Sequence, residues 1–354
     1  MKTQFLNNSK LGIFIFAFVF FATTINAQTT VNNNPNTSAD FTDLQTAIDA
    51  ASNGDIIYVQ QSPTSYGAIT INKGLTIVGR SHSDSGYKTT VDGVTFAAGA
   101  SNTTLKGLKI SSVIEEGIGS TITDLKFFDN DISSFQLGST DTFNNVLIQG
   151  NILRGSLYIY SNTSNVLVNN NIVFCSGVYL YNTATLLFSN NVMALYYGVN
   201  IGNSSTGLLN IDNCIFIGNY GVNNSLVTLT PGTGTIQINN CITYNYGSGS
   251  YDFSTGAGIT INANNQENTD PLFTSVDPAS TTSIAAAFGQ VFDGSNDDLT
   301  LQAGSPVNDD GLFQGYNFKY FGTPTGIPSI KVDSYSSTVP KNSNLTVTIT
   351  AKTN

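Results

Sequence analysis

Between residues 127 and 242 the chain repeats itself. Phe127-Phe-Asp-Asn-Asp-Ile132, Ile148-Gln-Gly-Asn-Ile152, Val168-Asn-Asn-Asn-Ile172 and Phe188-Ser-Asn-Asn-Val192 share one pattern. Ile211-Asp-Asn-Cys-Ile215 and Ile238-Asn-Asn-Cys-Ile242 continue it, and the closing aliphatic residues are spaced by 20, 20, 20, 23 and 27. A fixed period outranks local propensity, because each unit must bury its apolar face against its neighbours. The units hold short alternating segments such as Val166-Leu-Val168 and Val178-Tyr-Leu-Tyr181, separated by Asn, Gly and Ser, and carry no helical pattern. A coil of about twenty residues with two or three short strands predicts one turn of a parallel β-solenoid, an all-β fold.

Composition agrees and excludes other classes. The chain has 33 Gly and, counted from its sequence, 42 Asn, residues that tolerate left-handed backbone and form helices poorly. Its 13 Lys+Arg against 23 Asp+Glu give a net charge of −10, which leaves no basic stripe for nucleic acid. With 40% hydrophobic residues it is too apolar for a disordered chain.

The repeat resembles the right-handed parallel β-helix of the secreted bacterial pectate-lyase-like superfamily, whose coils end in a similar hydrophobic-x-x-Asn-x-hydrophobic turn. The likeness covers about residues 38–312. It implies the fold, with polysaccharide as the expected partner, and leaves activity open because one scaffold hosts many functions. Residues 28–312 are expected to form the solenoid. A helix at about 40–53, with Leu44, Ala47, Ile48 and Ala51 on one face, is expected to cap it, starting at Asp40 or Thr42 and ending at Gly54. Asp270-Pro-Leu-Phe273 and Asp298-Leu-Thr-Leu-Gln-Ala-Gly-Ser-Pro306 resemble the closing coil of such proteins. In the tail, 313–354, two strand-like segments resemble the opening of a bacterial Ig-like domain, expected to pack on the solenoid or stay mobile.

Residues 1–27 read as a cleaved signal peptide. Lys2 and Lys10 precede the uncharged run Leu11 to Ala22, and the small residues through Ala27 offer a cleavage point before Gln28. The protein is therefore expected to be secreted or held at the cell surface, with no membrane span after signal removal.

Strand alternation assigns faces. Leu157/Ile159, Val178/Leu180 and Val199/Ile201 point inward, which turns Tyr158/Tyr160, Tyr179/Tyr181 and Asn200/Gly202 outward. The four tyrosines should form a two-by-two exterior patch, with Tyr196, Tyr197 and Tyr220 in the preceding turn. Such a patch suits sugar stacking, each phenol offering a flat face and a hydroxyl; it equally suits cross-strand packing that only stabilises the sheet. A second column places Leu147, Leu167 and Leu187 outward, where the tail, a loop or a protein partner would cover them. Asn130, Asn170, Asn190, Asn213 and Asn240, with Gly150, are expected to stack at one turn and bond from coil to coil. Cys214 and Cys241 fall next to that column, spaced for a disulfide or for two buried thiols.

Catalytic chemistry finds few candidates. The one histidine, His82, sits in a polar loop, so a Ser-His-Asp triad or zinc site is not expected. Arg154, read as lying just before the tyrosine strand, and Glu115 and Glu116, read as two coils earlier in a comparable turn, are the candidates for a polysaccharide lyase or glycosidase. Asp293, Asp297 and Asp298 lie in an acidic loop that could take Ca²⁺, the one cofactor considered; Asp309 and Asp310 are ambiguous. The leading expectation is non-covalent binding of extracellular polysaccharide, the alternatives a lyase or glycosidase and a structural surface adhesin.

Overall fold

The computed structural model describes residues 28–35, 37–80, 88–173, 178–181, 186–194, 200–202, 207–218, 226–246, 249–275, 298–307, 311, 329–335 and 347–352. Through them the chain winds past three sheets of eleven, nine and eight strands, in each of which neighbours come from successive coils. One coil shows the plan. Thr142–Gln149 lies in the eleven-stranded sheet, Ile152–Leu153 in the eight-stranded and Leu157–Ile159 in the nine-stranded, and Thr163–Asn169 then returns onto Thr142–Gln149. All strands of these sheets run parallel, and about eight turns make an all-β solenoid.

Alternation and one deliberate break in it build the core. Leu157 and Ile159, and Val178 and Leu180 above them, are fully buried, while the tyrosine between each pair is half-exposed. In the longer strands Asn145 has φ +60°, and Asp124 and Asn165 match it one coil either way at +62° and +52°. A left-handed residue resets the alternation, so Phe143, Val146 and Ile148 all face inward. Asn and Asp tolerate that conformation better than other side-chain-bearing residues.

Gly150, Asn170, Asn190, Asn213 and Asn240 share one turn position as expected, with Asp129 in place of Asn130, but the coil-to-coil bonding lies one residue further on. The left-handed turn positions are Asp129, Gly150, Asn170, Asn190, Asn213 and Asn240. The buried amide ladder is the next column: Asn130, Asn151, Asn171 and Asn191. There Asn151 Oδ1 accepts from Asn130 N (2.9 Å) and Asn171 Oδ1 from Asn151 N (2.8 Å). Each Nδ2 also donates to a carbonyl of the coil before, as Asn151 does to Phe127 O at 2.9 Å. Cys214 and Cys241 continue the ladder as buried thiols and not as a disulfide. Asn191 N donates to Cys214 Sγ and Cys214 N to Cys241 Sγ, at 3.4 and 3.3 Å.

The same offset moves Ile132. Asp131, not Ile132, pairs with Ile152, because the coil from Phe127 to Ile148 is one residue longer than the next. The column that continues through Ile152, Ile172, Val192, Ile215 and Ile242 therefore lies opposite the core-facing Leu153, Val173 and Met193, yet it too is fully buried. Part of its cover is the chain leaving the solenoid. Gly311 N donates to Asn213 O (2.8 Å), and a Cβ there would stand 2.6 Å from Ile215 Cδ1 and 3.5 Å from Val192 Cγ2. Glycine is the residue that fits that approach, at φ +72°. So the described return of the chain lies on this strip, whereas Leu147, Leu167 and Leu187, paired in register as expected, are half-buried on another sheet.

Helix α1, Leu44–Ala50, buries Leu44, Ala47 and Ile48 against the first coils. Its cap is Asp43 rather than Asp40 or Thr42. Asp43 accepts from Thr46 N and Thr46 Oγ1, both at 2.7 Å, while Asp40 accepts from Thr30 N and Oγ1 in the first strand, Gln28–Val31. Both carboxyls sit below their ordinary pKa, Asp43 through Thr46 and Asp40 through Thr30. At the other end Phe273–Ser275 pairs antiparallel with Asp298–Leu301, joining the two expected closing motifs. The tail strands Ser329–Tyr335 and Val347–Lys352 form an antiparallel hairpin. Among the described residues no helix is long and apolar enough to cross a membrane. The signal segment, His82, Cys175, Tyr196, Tyr197, Val199, Tyr220, Asp293, Asp297, Asp309 and Asp310 lie outside the described residues.

Candidate functional site: the tyrosine face

The nine-stranded sheet brings the four tyrosines together. Leu157–Ile159 and Val178–Leu180 pair with Tyr158 directly beneath Tyr179, and Tyr160 and Tyr181 follow each strand by one residue. Ring centroids stand 4.7 Å apart for Tyr158–Tyr179 and 6.0 Å for Tyr160–Tyr181 along the stack, and 5.7 and 6.2 Å across it. The planes of Tyr158 and Tyr179 differ by 7°. Near-parallel rings at that distance are offset-stacked, not side by side. The expected platform of four flat faces turned to solvent is therefore not what forms. Faces turn largely toward one another, and edges and hydroxyls point away from the sheet.

The two ends of the stack differ. Below it Gln136 pairs with Tyr158 and its Nε2 donates to Tyr160 Oη at 2.8 Å. Above it Tyr179 pairs with Gly202, which has no side chain to cover the ring. Asn200 was expected in Tyr179's column. The register instead sets Ile201 on Val178, so Asn200 precedes Val178's level and never pairs with a tyrosine. Burial raises the Tyr181 hydroxyl above its ordinary pKa, with the three neighbouring tyrosines adding to the shift.

The candidate catalytic groups do not converge here. Arg154 lies before the tyrosine strand, in the turn from the eight-stranded sheet. Its Nε and terminal nitrogen grip both oxygens of the buried Asp131 at 2.6 and 3.0 Å. A carboxylate buried at an aliphatic position requires such a partner, so this cation is spent on the fold. Glu115 closes the strand Val113–Glu115, two strands from Leu157–Ile159 in the same sheet, and pairs with Phe96. That is not a turn comparable to Arg154's. Its carboxylate accepts from Gly138 N (3.0 Å), Thr140 N (2.8 Å), Asp141 N (3.2 Å) and Ser139 Oγ in the next coil. Asp141 answers by accepting from Gly117 N (2.8 Å) and Ser120 N (2.6 Å) one coil back. The two carboxylates thus clamp successive turns by exchanging backbone donors. Gly138, at φ +86°, lets the first turn close. Glu116 is exposed beside this clamp.

Sequence reading missed the clamp and the Asp131–Arg154 pair. The signal available was Asp131 itself, an acid where the repeat places an aliphatic. Among the described residues no three His, Cys, Asp or Glu side chains gather as a metal site. For Asp298 only the backbone, paired with Ser275, is described.

Fold and site together define a parallel β-solenoid carrying an exterior tyrosine ladder. No protein-family model, no curated protein and no solved structure matches the chain significantly.

Proposed function

We propose that this protein is an exported or cell-surface β-helix, related in kind to the pectate-lyase-like proteins its repeat resembles, that binds extracellular polysaccharide without covalent chemistry. The observation that carries the reading is the outward ring cluster of Tyr158, Tyr160, Tyr179 and Tyr181, drawn from two coils. Contiguous aromatics on a sheet exterior favour contact with another molecule. Their edges would meet sugar C–H groups, and the hydroxyls would exchange hydrogen bonds with sugar oxygens.

Binding is favoured over cleavage because the charged groups a lyase would use are engaged elsewhere: Arg154 by Asp131, and Glu115 by the 138–141 turn. Affinity gels containing plant and microbial polysaccharides test the reading. Retention of the wild type that is lost in Tyr158→Ala/Tyr179→Ala supports it, and unchanged retention in that variant contradicts it. Unsaturated products or new reducing ends that vanish in Arg154→Ala would favour the lyase or glycosidase instead.

A further inference from the structure

We infer that the ligand of the tyrosine face is an uncharged, extended polysaccharide lying along the solenoid axis, not an acidic one; this rests on the binding function proposed above. The outward column through the tyrosines is continuous over eight strands of the nine-stranded sheet. Below the tyrosines it runs through Thr70, Thr95, Ile114 and Gln136. Above them it runs through Gly202 and Thr230. At the usual spacing of neighbouring strands this row is about 34 Å long. Every residue in it is uncharged. It offers hydroxyls, an amide, phenols and one exposed isoleucine, Ile114, at 39% exposure.

The charges that flank the row would repel an anionic chain. Asp92 and Glu116 are exposed at the edges of the sheet, and Asp252 lies at its last strand. The two described cations nearest the row in sequence are engaged. Lys73 Nζ donates to Asp49 O and Ala51 O, each at 3.0 Å, and Arg154 grips Asp131. A uronate-rich polymer would thus approach a protein of net charge −10 along a row that, among the described residues, contains no cation. For a neutral glycan the same row is suited. Stacked phenol rings repeat along the axis with centroids 4.7 and 6.0 Å apart, comparable to one sugar unit of an extended chain, so successive sugars can meet equivalent groups.

The test uses the full mature chain on affinity gels holding galactomannan, β-glucan, polygalacturonate or alginate, at about 20 and about 300 mM salt. The expected result is retention by at least one of the two neutral polymers, changing less than about twofold with salt, and none by the two acidic ones. Gln136→Lys places a cation beside Tyr158. It should create salt-sensitive retention on polygalacturonate that the wild type lacks. Stronger retention of the wild type by polygalacturonate or alginate would overturn the uncharged ligand and leave the binding function standing. Retention by none of the four would overturn both.

Discussion

Two ladders run along this molecule at the same coil spacing, one inside and one outside. The inner ladder, Asn130 to Asn191, is fully buried, and each amide both accepts from and donates to the coil before it. The outer ladder, Tyr158 on Tyr179 and Tyr160 on Tyr181, makes ring contacts with itself and keeps edges and hydroxyls at the surface. Both arise from one repeat that stacks like residue on like. Burial decides what each can do: the inner column has no capacity left for a ligand, and the outer one has. Identical stacking is therefore not a functional signal by itself; the face it occupies is.

That contrast can be broken by substitution. Asn171→Leu keeps the shape but strands Asn151 N–H and two carbonyl contacts in the interior, which should cost about 3 kcal/mol in denaturant unfolding while folded protein still binds glycan. Tyr179→Ala on the outer ladder should cost only about 1 kcal/mol but remove most glycan retention. If the two costs were equal, the outer tyrosines would be packing residues like any others.

Cys214→Asn sharpens the comparison from within. It gives Asn191 N–H an amide oxygen in place of a thiol at 3.4 Å, and should raise stability by up to about 1 kcal/mol. The smallest effect is on pH. Burial raises the Tyr181 pKa above 10.0, so the stability tied to its neutral form is present below pH 10 and lost as pH climbs through the folded value. Tyr66 and Tyr244 are raised too, so spectrophotometric titration should show several late-ionising phenols, one fewer in Tyr181→Phe.

The sequence made the outer ladder legible because alternation is a two-residue rule that survives small errors of register. Tyr158 and Tyr179 face outward however far the coils slide by pairs of residues. The inner ladder was less legible. Asp129-Asn130-Asp131 is polar throughout, so nothing in it marks which residue turns inward, and one extra residue in that coil moved Asn130 out of the turn column of Gly150, Asn170, Asn190, Asn213 and Asn240. Asn200 was misplaced for a related reason: a two-residue slip keeps its face but moves it off Tyr179, where Gly202 stands instead. Ring orientation was not legible at all, since it depends on how neighbouring phenols settle against each other. Nor could the sequence reveal that Arg154 and Glu115 are consumed by groups one coil away, because those contacts join side chains to turns more than twenty residues distant.

Everything rests on successive coils lying in the register that puts Tyr158 beneath Tyr179. Cysteine pairs measure it directly, since a disulfide closes only between nearby, facing Cβ atoms. Under mild oxidation Tyr158→Cys/Tyr179→Cys should crosslink nearly completely, and Tyr158→Cys/Tyr181→Cys, displaced by two residues, should stay reduced. Crosslinking of the displaced pair alone, or of neither, would contradict the account.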